Sequence, residues 1–586
     1  MNATKPKSVS SDQGSGDIRS ALSRVLANNF VILFAGYVLT CLACYLYFIL
    51  TGNGLRANYG DSWLYTELAK RIAFNHSLLH RDYVNCAIYP PLYPFLISFA
   101  YLFREQAAIF EAIKILNIMA YSSAFFPMYH LLKCYAGLSR NQSFAGAILL
   151  LINWCSLCYV VHIGSEPLYC PLLVWFAWFL VDNKYLKGKL DLLLFIFVFA
   201  AIPLTRSIGN LVFPCFAGAV IIKLINLRSN HLVMEFKKLV RRSIIVLMAS
   251  AIIMLLYNLY LKSVLPKSPG DAFGGYIAIL ADPMWMQTLL KPSYWFDRTA
   301  YSFSWILIGT GTVAVPLLIS IIIRNRQILR EDALASFLCF FLAGTFVLVP
   351  LFTPSESLGW AFPRYYDPFL FLFIVILFKH IRLYDRKDLI IAMAITVVGI
   401  LLAPPLTTHA SCFALSQTHL WAVYFLLYGL GGLLFVAMLW VFHRYKQYFI
   451  NLFLVMMAMS IPTLFVLDYL GGNKLGPNLF SFYDAHGITR EVLAERASNP
   501  NTELIVDLSW RYRRGGLEIC EYWEYWRILT NLPLIPVYKD LTTYLSDPLN
   551  KGKRFMVLTH QNIPNAVKIV KGQDISLYIF DRYLLR

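Results

Sequence analysis

Residues 30–50 read Phe-Val-Ile-Leu-Phe-Ala-Gly-Tyr-Val-Leu-Thr-Cys-Leu-Ala-Cys-Tyr-Leu-Tyr-Phe-Ile-Leu, without a single charge. At about 1.5 Å of rise per helical residue, such a run crosses a hydrocarbon core of about 30 Å. It is too long for the apolar region of a cleaved signal peptide, and no small-residue cleavage site follows it. Residues 1–27 ahead of it are polar and Ser-rich, with Lys5, Lys7, Arg19 and Arg24, which predicts a cytosolic N-terminal tail.

The rest of the chain repeats the pattern. Of 586 residues, 58% are hydrophobic and 14% charged, against about 25% charged in ordinary soluble domains. That excludes a string of soluble domains. An aromatic content of 16% and the lack of any short repeat exclude a disordered or fibrous chain. Further spans are expected at 107–132, 143–163, 166–182, 190–205, 208–227, 243–262, 301–323, 333–352, 365–381, 388–404, 418–442 and 448–470. With the first they make about thirteen transmembrane helices in an α-helical polytopic membrane protein.

The net charge of +18 invites a nucleic-acid reading, but the cations have a different logic. Placing the N-terminus in the cytosol puts Lys133 and Arg140, Lys184 to Lys189, Lys223 to Arg242, Arg324 to Arg330, Lys379 to Lys387, and Arg444 with Lys446 on that side. All of these connections are basic, as the positive-inside rule demands, so the chain is expected N-in and C-out, with no nucleic-acid partner. The eleven cysteines are scattered and many sit inside apolar runs. Cys155 and Cys158 form a C-x-x-C only in name, and small buried hydrophobes account for them.

This topology leaves three long outer segments, 51–106, 263–300 and 471–586. Residues 28–470 are expected to form the transmembrane region. The last segment changes character after Gly471-Gly472-Asn473 and Gly476-Pro477. Strand-like runs at Glu503–Leu508, Leu534–Tyr538, Arg554–Leu558 and Ile575–Phe580 alternate with helical spacing at Ile488–Arg496 and Leu517–Leu529. Residues 471–586 therefore read as a small soluble α/β domain on the outer face, with no P-loop, dinucleotide fingerprint or G-x-S-x-G. Its aromatic run Tyr522–Trp526 suits either sugar stacking or core packing. Its Arg511–Arg514 cluster suits lipid head groups, an anionic acceptor or plain solvation.

The first outer loop holds Gly60-Asp61-Ser62-Trp63-Leu64-Tyr65-Thr66-Glu67-Leu68-Ala69-Lys70-Arg71-Ile72, whose apolar positions fit a helix lying along the interface. Asp61 at its start is either a helix cap or a functional acid. Tyr89-Pro90-Pro91-Leu92-Tyr93-Pro94 follows as a rigid extended turn. Two further turns stand at outer ends of spans: His162-Ile163-Gly164-Ser165-Glu166-Pro167-Leu168-Tyr169 and Leu204-Thr205-Arg206-Ser207-Ile208-Gly209. Arg364-Tyr365-Tyr366-Asp367-Pro368 opens a late span.

Taken in order, these motifs resemble the GT-C superfamily of membrane glycosyltransferases, in its protein O-mannosyltransferase-like and lipid A aminoarabinose transferase-like branch. The resemblance covers most of the chain. It implies transfer of a single sugar from a polyprenyl-phosphate-linked donor to a glycan, lipid or protein acceptor on the outer face, with inversion. Asp61 matches the family base, and desolvation near an interface raises a carboxylate toward such a role. Arg206 and Arg364 match outward arginine turns and would hold the donor phosphate, although interfacial snorkelling suits them as well. Glu166, His162, Tyr89, Tyr93 and Tyr365 would contact sugar or acceptor. For Glu166 the alternative is a solvated acid at a helix start, for His162 a plain interfacial residue, and for the tyrosines interfacial packing. Lys262, Lys267, Lys291 and Arg298 are further cations near the second long outer loop.

The chain also departs from the pattern. Tyr89 stands where the aminoarabinose transferases have Lys, which weakens that donor assignment. The first loop has no D-x-D or paired acids, so no metal and no other cofactor are expected. The expected location is a bacterial inner membrane, with the C-terminal domain in the periplasm. Two other readings remain: a polymerase or O-antigen ligase using polyprenyl-pyrophosphate glycans, and a lipid-sugar transporter or flippase.

Overall fold

The computed structural model describes residues 15–50, 56–57, 61–75, 90–103, 105–153, 157–181, 188–229, 232–264, 283–310, 314–352, 363–402, 420–441 and 448–458. Beyond them it describes five positions between 492 and 499, and residues 502–507, 534–537, 555–559, 568–571 and 576–580. Residues 1–14, Tyr89, the glycine-rich join at 471–477, the Arg511–Arg514 cluster, the Tyr522–Trp526 run and most of Ile488–Arg496 lie outside the described residues, as do the side chains of Asp61, Lys262 and Arg364.

The described part is mainly helical. α1 (Ser15–Leu50) carries the opening apolar run. α2 (Asp61–Asn75) and α3 (Leu92–Ser98) form in the first outer segment. α4 (Gln106–Ser122), α5 (Phe125–His130), α6 (Arg140–Leu151), α7 (Glu166–Leu180), α8 (Lys189–Thr205), α9 (Val212–Ser229) and α10 (Val233–Val264) follow. α11 (Pro283–Leu289), α12 (Pro292–Gly309), α13 (Ala314–Arg324), α14 (Gln327–Glu331), α15 (Ala333–Phe352), α16 (Pro363–His380), α17 (Arg386–Leu402), α18 (Leu420–Val441) and α19 (Phe449–Ala458) complete the series. Among the described residues, five stretches are long and apolar enough to cross a membrane: Phe30–Leu50, Ala108–Tyr135, Ser207–Arg228, Val233–Tyr260 and Ala333–Leu351. Shorter apolar helices stand between them.

Several expected spans are interrupted. The span at 107–132 turns at Ser123 and Ala124, because Pro127 has no N–H to offer the Ser123 carbonyl. It ends in a π-helical turn, Leu131–Tyr135. The span at 143–163 stops at Leu151, whose carbonyl accepts the Tyr121 hydroxyl at 2.6 Å. After it come a 3₁₀ turn, Cys158–Val161, and a two-residue strand, β2 (His162–Ile163), which pairs with β1 (Arg56–Ala57). The span at 301–323 is two helices, α12 and α13, parted at Thr310.

Phenylalanines fill much of the interior. Phe176 on α7 meets Phe195 and Phe199 of α8, Phe216 of α9 and Phe337 of α15, with ring centroids 4.6–6.3 Å apart. Lipid supplies no hydrophobic drive between helices, so close ring packing of this kind carries the association. On the side expected to face the cytosol, basic side chains tie helix ends to neighbouring loops. Lys223 donates to the Glu331 carbonyl at 2.9 Å, and Arg242 to the Gly188 carbonyl at 3.1 Å.

Within 471–586 the described residues form a five-stranded sheet in the order β4-β3-β5-β7-β6, with β3 Glu503–Asp507, β4 Leu534–Val537, β5 Phe555–Thr559, β6 Lys568–Lys571 and β7 Ser576–Phe580. β3 runs parallel to β4 and β5, and β7 runs antiparallel to β5 and β6. Four of these strands match the sequence reading. The fifth, β6, was hidden because lysines bracket its Ile-Val pair, which is how an edge strand avoids further pairing.

Candidate active site

The site is framed by a 3₁₀ turn and a two-residue strand at 158–163, short irregular backbone whose polar groups need partners. A single side chain carries much of the load. Asn117, within the apolar α4, donates through Nδ2 to the Val160 carbonyl at 3.2 Å and the His162 carbonyl at 3.0 Å. Its Oδ1 accepts the Tyr93 hydroxyl at 3.1 Å. One buried amide thus joins α3, α4 and the 158–163 segment. Sequence reasoning passed over Asn117; the available signal was an amide isolated in an apolar helix, three residues after Lys114.

α2 is tied to the same segment. Arg56 and Ala57 pair in parallel with His162 and Ile163. Ser62 donates to the Ile163 carbonyl at 2.6 Å. Asp61, the first residue of α2, is therefore adjacent to a serine clamped three residues before Glu166. Tyr93 is fully buried, edge-on to Tyr65 with centroids 5.2 Å apart, and belongs to this frame. His162 is half-buried, with its carbonyl held by Asn117.

Glu166 and Arg206 meet inside this frame. Glu166 opens α7, where the positive helix terminus favours an acid. It is only 2% exposed, so it is not a solvated helix-start carboxylate. Its Oε1 accepts a charge-assisted hydrogen bond from Arg206 Nη1, and Ser165 Oγ lies 3.5 Å from the same nitrogen. Arg206 is 6% exposed and is not snorkelling to a head group. Its guanidinium carbon stands 4.7 Å from the Tyr365 ring centroid and 6.0 Å from that of Tyr169, within cation–π range of both.

The turn that presents Arg206 is built locally. Pro203 weakens the end of α8, and Thr205 turns its hydroxyl back onto the Ala201 carbonyl at 2.7 Å. Arg206 then adopts an extended backbone. The Gly209 N–H closes onto the Arg206 carbonyl at 2.8 Å. A Cβ at Gly209 would come within 2.7 Å of the Ile202 carbonyl oxygen, so the close approach requires glycine.

The structure therefore gathers Glu166, Arg206 and Tyr365, with His162 and Tyr93 in the adjoining frame. Arg364 precedes Tyr365 in the first turn of α16. Sequence reasoning also missed Asp367, which is 1% exposed and accepts the Tyr159 hydroxyl at 2.6 Å. Of the cations near the second outer segment, Lys267 and the Lys262 side chain lie outside the described residues. Lys291 is exposed, and Arg298 stacks on Tyr294 at 5.3 Å.

No protein-family model matches the chain, and no curated protein matches it. Solved structures do. ArnT from Cupriavidus metallidurans in the apo state superposes with a TM-score of 0.53 at 14% identity, covering 94% of this chain and 98% of that one. The same protein bound to undecaprenyl phosphate gives 0.52 at 11% identity, again over 94% and 98%. The Archaeoglobus fulgidus oligosaccharyltransferase in its apo form gives 0.44 at 13% identity, over 90% of this chain and 69% of that one. The superposition on ArnT runs nearly end to end, and five described stretches are long and apolar enough to span a bilayer: the chain is an integral membrane protein with the GT-C fold.

Proposed function

We propose that this protein is a glycosyltransferase that moves one sugar from a polyprenyl-phosphate donor to a glycan, lipid or protein acceptor on the outer face of its membrane. The observation that carries the reading is the buried Glu166–Arg206 pair stacked on Tyr365, on a GT-C fold. The undecaprenyl phosphate bound by ArnT makes a polyprenyl phosphate the first lipid to try. In this scheme residues 28–470 form the catalytic region and 471–586 an outer domain that caps the site or helps bind acceptor. The N-terminus is cytosolic and the membrane is a bacterial inner membrane.

Asp61 removes the proton of the attacking acceptor hydroxyl or amine. As the bond to the anomeric carbon forms, the bond to the lipid phosphate breaks and charge builds on that phosphate. Arg206 and Arg364 stabilise it; a guanidinium in a water-poor site is worth far more there than in water. Glu166 orients Arg206 and receives sugar or acceptor hydroxyls, with His162, Tyr89, Tyr93 and Tyr365 around them. Phosphate is already a good leaving group, so no strong general acid is needed. The scheme uses no metal or other cofactor, and transfer should persist in EDTA.

The test is transfer by the purified, reconstituted protein from a panel of labelled polyprenyl-phosphate sugars, with Asp61→Asn beside wild type. Consumption of a donor by wild type, and a rate lower by at least about a hundredfold in a folded Asp61→Asn, supports the reading. A fully active Asp61→Asn removes Asp61 as base. Failure of every monophosphate donor returns the assignment to the pyrophosphate polymerases and the transporters.

A further inference from the structure

Asp367 is a carboxylate sealed at the outer end of a membrane helix, next to Tyr365 and Arg364 in sequence. Such a group is expensive to bury, and an apolar residue would pack there at less cost. Its described partner is a neutral phenol, Tyr159, at 2.6 Å. Tyr159 is itself 4% exposed and is held firmly, because the carbonyl of its neighbour Val160 is bonded to Asn117. The donor end of this hydrogen bond is thus fixed to the frame that also carries His162 and Ser165.

The acceptor end sits where the helix is weak. Pro368, inside α16, has no N–H for the Arg364 carbonyl, so the ladder does not lock the first turn. That turn carries Arg364 and also Tyr365, whose ring lies against the Arg206 guanidinium. The side-chain bond from Asp367 to Tyr159 replaces the missing backbone restraint. It joins the turn bearing Arg364 and Tyr365 to the segment leading into Glu166, across 208 positions of sequence.

We infer that Tyr159 and Asp367 are a positioning pair, which sets Arg364 and Tyr365 relative to Arg206 for recognition of a lipid phosphate. The inference rests on the polyprenyl-phosphate reading above. Neither residue touches the reacting atoms; the pair acts through the turn it holds.

The experiment uses the full-length protein in lipid nanodiscs, titrated with a polyprenyl phosphate lacking sugar. Tyr159→Phe removes the bond and keeps the carboxylate. The double variant Tyr159→Phe/Asp367→Leu removes both polar groups of this bond, so neither is left facing the other's absence. Tyr159→Phe should weaken lipid-phosphate binding by about tenfold, the scale expected when recognition groups shift by a fraction of an ångström. The double variant should regain the melting temperature of wild type and not its affinity. With a reactive donor, the loss should appear in KM more than in kcat. A double variant that binds like wild type would reduce the pair to packing and overturn the inference, as would a folded Tyr159→Phe within twofold of wild type. If wild type itself binds no polyprenyl phosphate, the donor reading falls, and this inference with it.

Discussion

Arg206 shows how much a single side chain depends on its surroundings. In isolation it is a cation at a span end, one of many in a basic chain. In the fold it is 6% exposed, bonded to Glu166 and stacked on Tyr365. Removing one member of a buried ion pair strands the other charge, which costs more than the pair itself contributes. Arg206→Met should therefore lower stability by about 3–5 kcal/mol, read as a fall in melting temperature in detergent. Arg206→Lys should restore much of the stability and little of the transfer, since an ammonium offers neither the planar fork nor the ring stacking. Glu166 was legible as a candidate from its place before Pro167. Its burial was not, because its partner lies 40 positions away.

At the scale of elements, turns and helix ends position the chemistry. The 205–209 turn exists because Gly209 lets the chain pass against the Ile202 carbonyl. Gly209→Ala forces that turn outward and carries Arg206 with it. Transfer should fall by about tenfold or more, and melting temperature should fall with it, since backbone atoms must shift to make room; an unchanged rate would show that the turn tolerates the shift. At the far end of the bundle, Asp332 joins three elements. It accepts hydrogen bonds from Tyr135 at 2.6 Å, Lys379 at 2.9 Å and His380 at 3.0 Å, and it caps the Leu334 and Ala335 N–H groups of α15. Burial alone would raise its pKa, but the His380 bond, the Lys379 charge and the Tyr135 hydroxyl outweigh it and hold the carboxyl well below the usual range. A folded pKa below the unfolded one stabilises above the unfolded value, about 3.9 for Asp, and that stabilisation is lost as pH falls further. The melting-temperature gap between wild type and Asp332→Asn should thus be constant above about pH 5 and shrink below about pH 4. A gap that persists into strong acid would contradict this.

At the scale of the whole molecule, topology decides which compartment the site faces. The basic connections all fall on one side of the proposed N-in arrangement, in which Glu166, Arg206 and the sheet of 503–580 would lie outside. Alkaline phosphatase fused after Arg586 should be active in a bacterial host and green fluorescent protein at the same point dark, with the reverse at the N-terminus. The opposite pattern would invert the whole scheme. The candidate charges cluster at span ends and not at the midplane, unlike the ion sites that inverted-repeat transporters build between discontinuous helices.

Membrane character and the order of the candidate turns along the chain follow from the sequence alone, and the N-in orientation is proposed from it. They rest on local quantities: the length of apolar runs, the side on which Lys and Arg gather, and the proline and glycine that mark turns. Four of the five strands were legible for the same reason, since alternation is a property of neighbours. The break after Leu151 was not, because Tyr121 reaching the Leu151 carbonyl and Asn117 holding Val160 and His162 depend on residues tens of positions away. Nor were the two pairs at the centre, Glu166 with Arg206 and Tyr159 with Asp367. Burying a charge or an irregular backbone is tolerated only where a partner arrives from another element, and only the tertiary structure decides which partner that is.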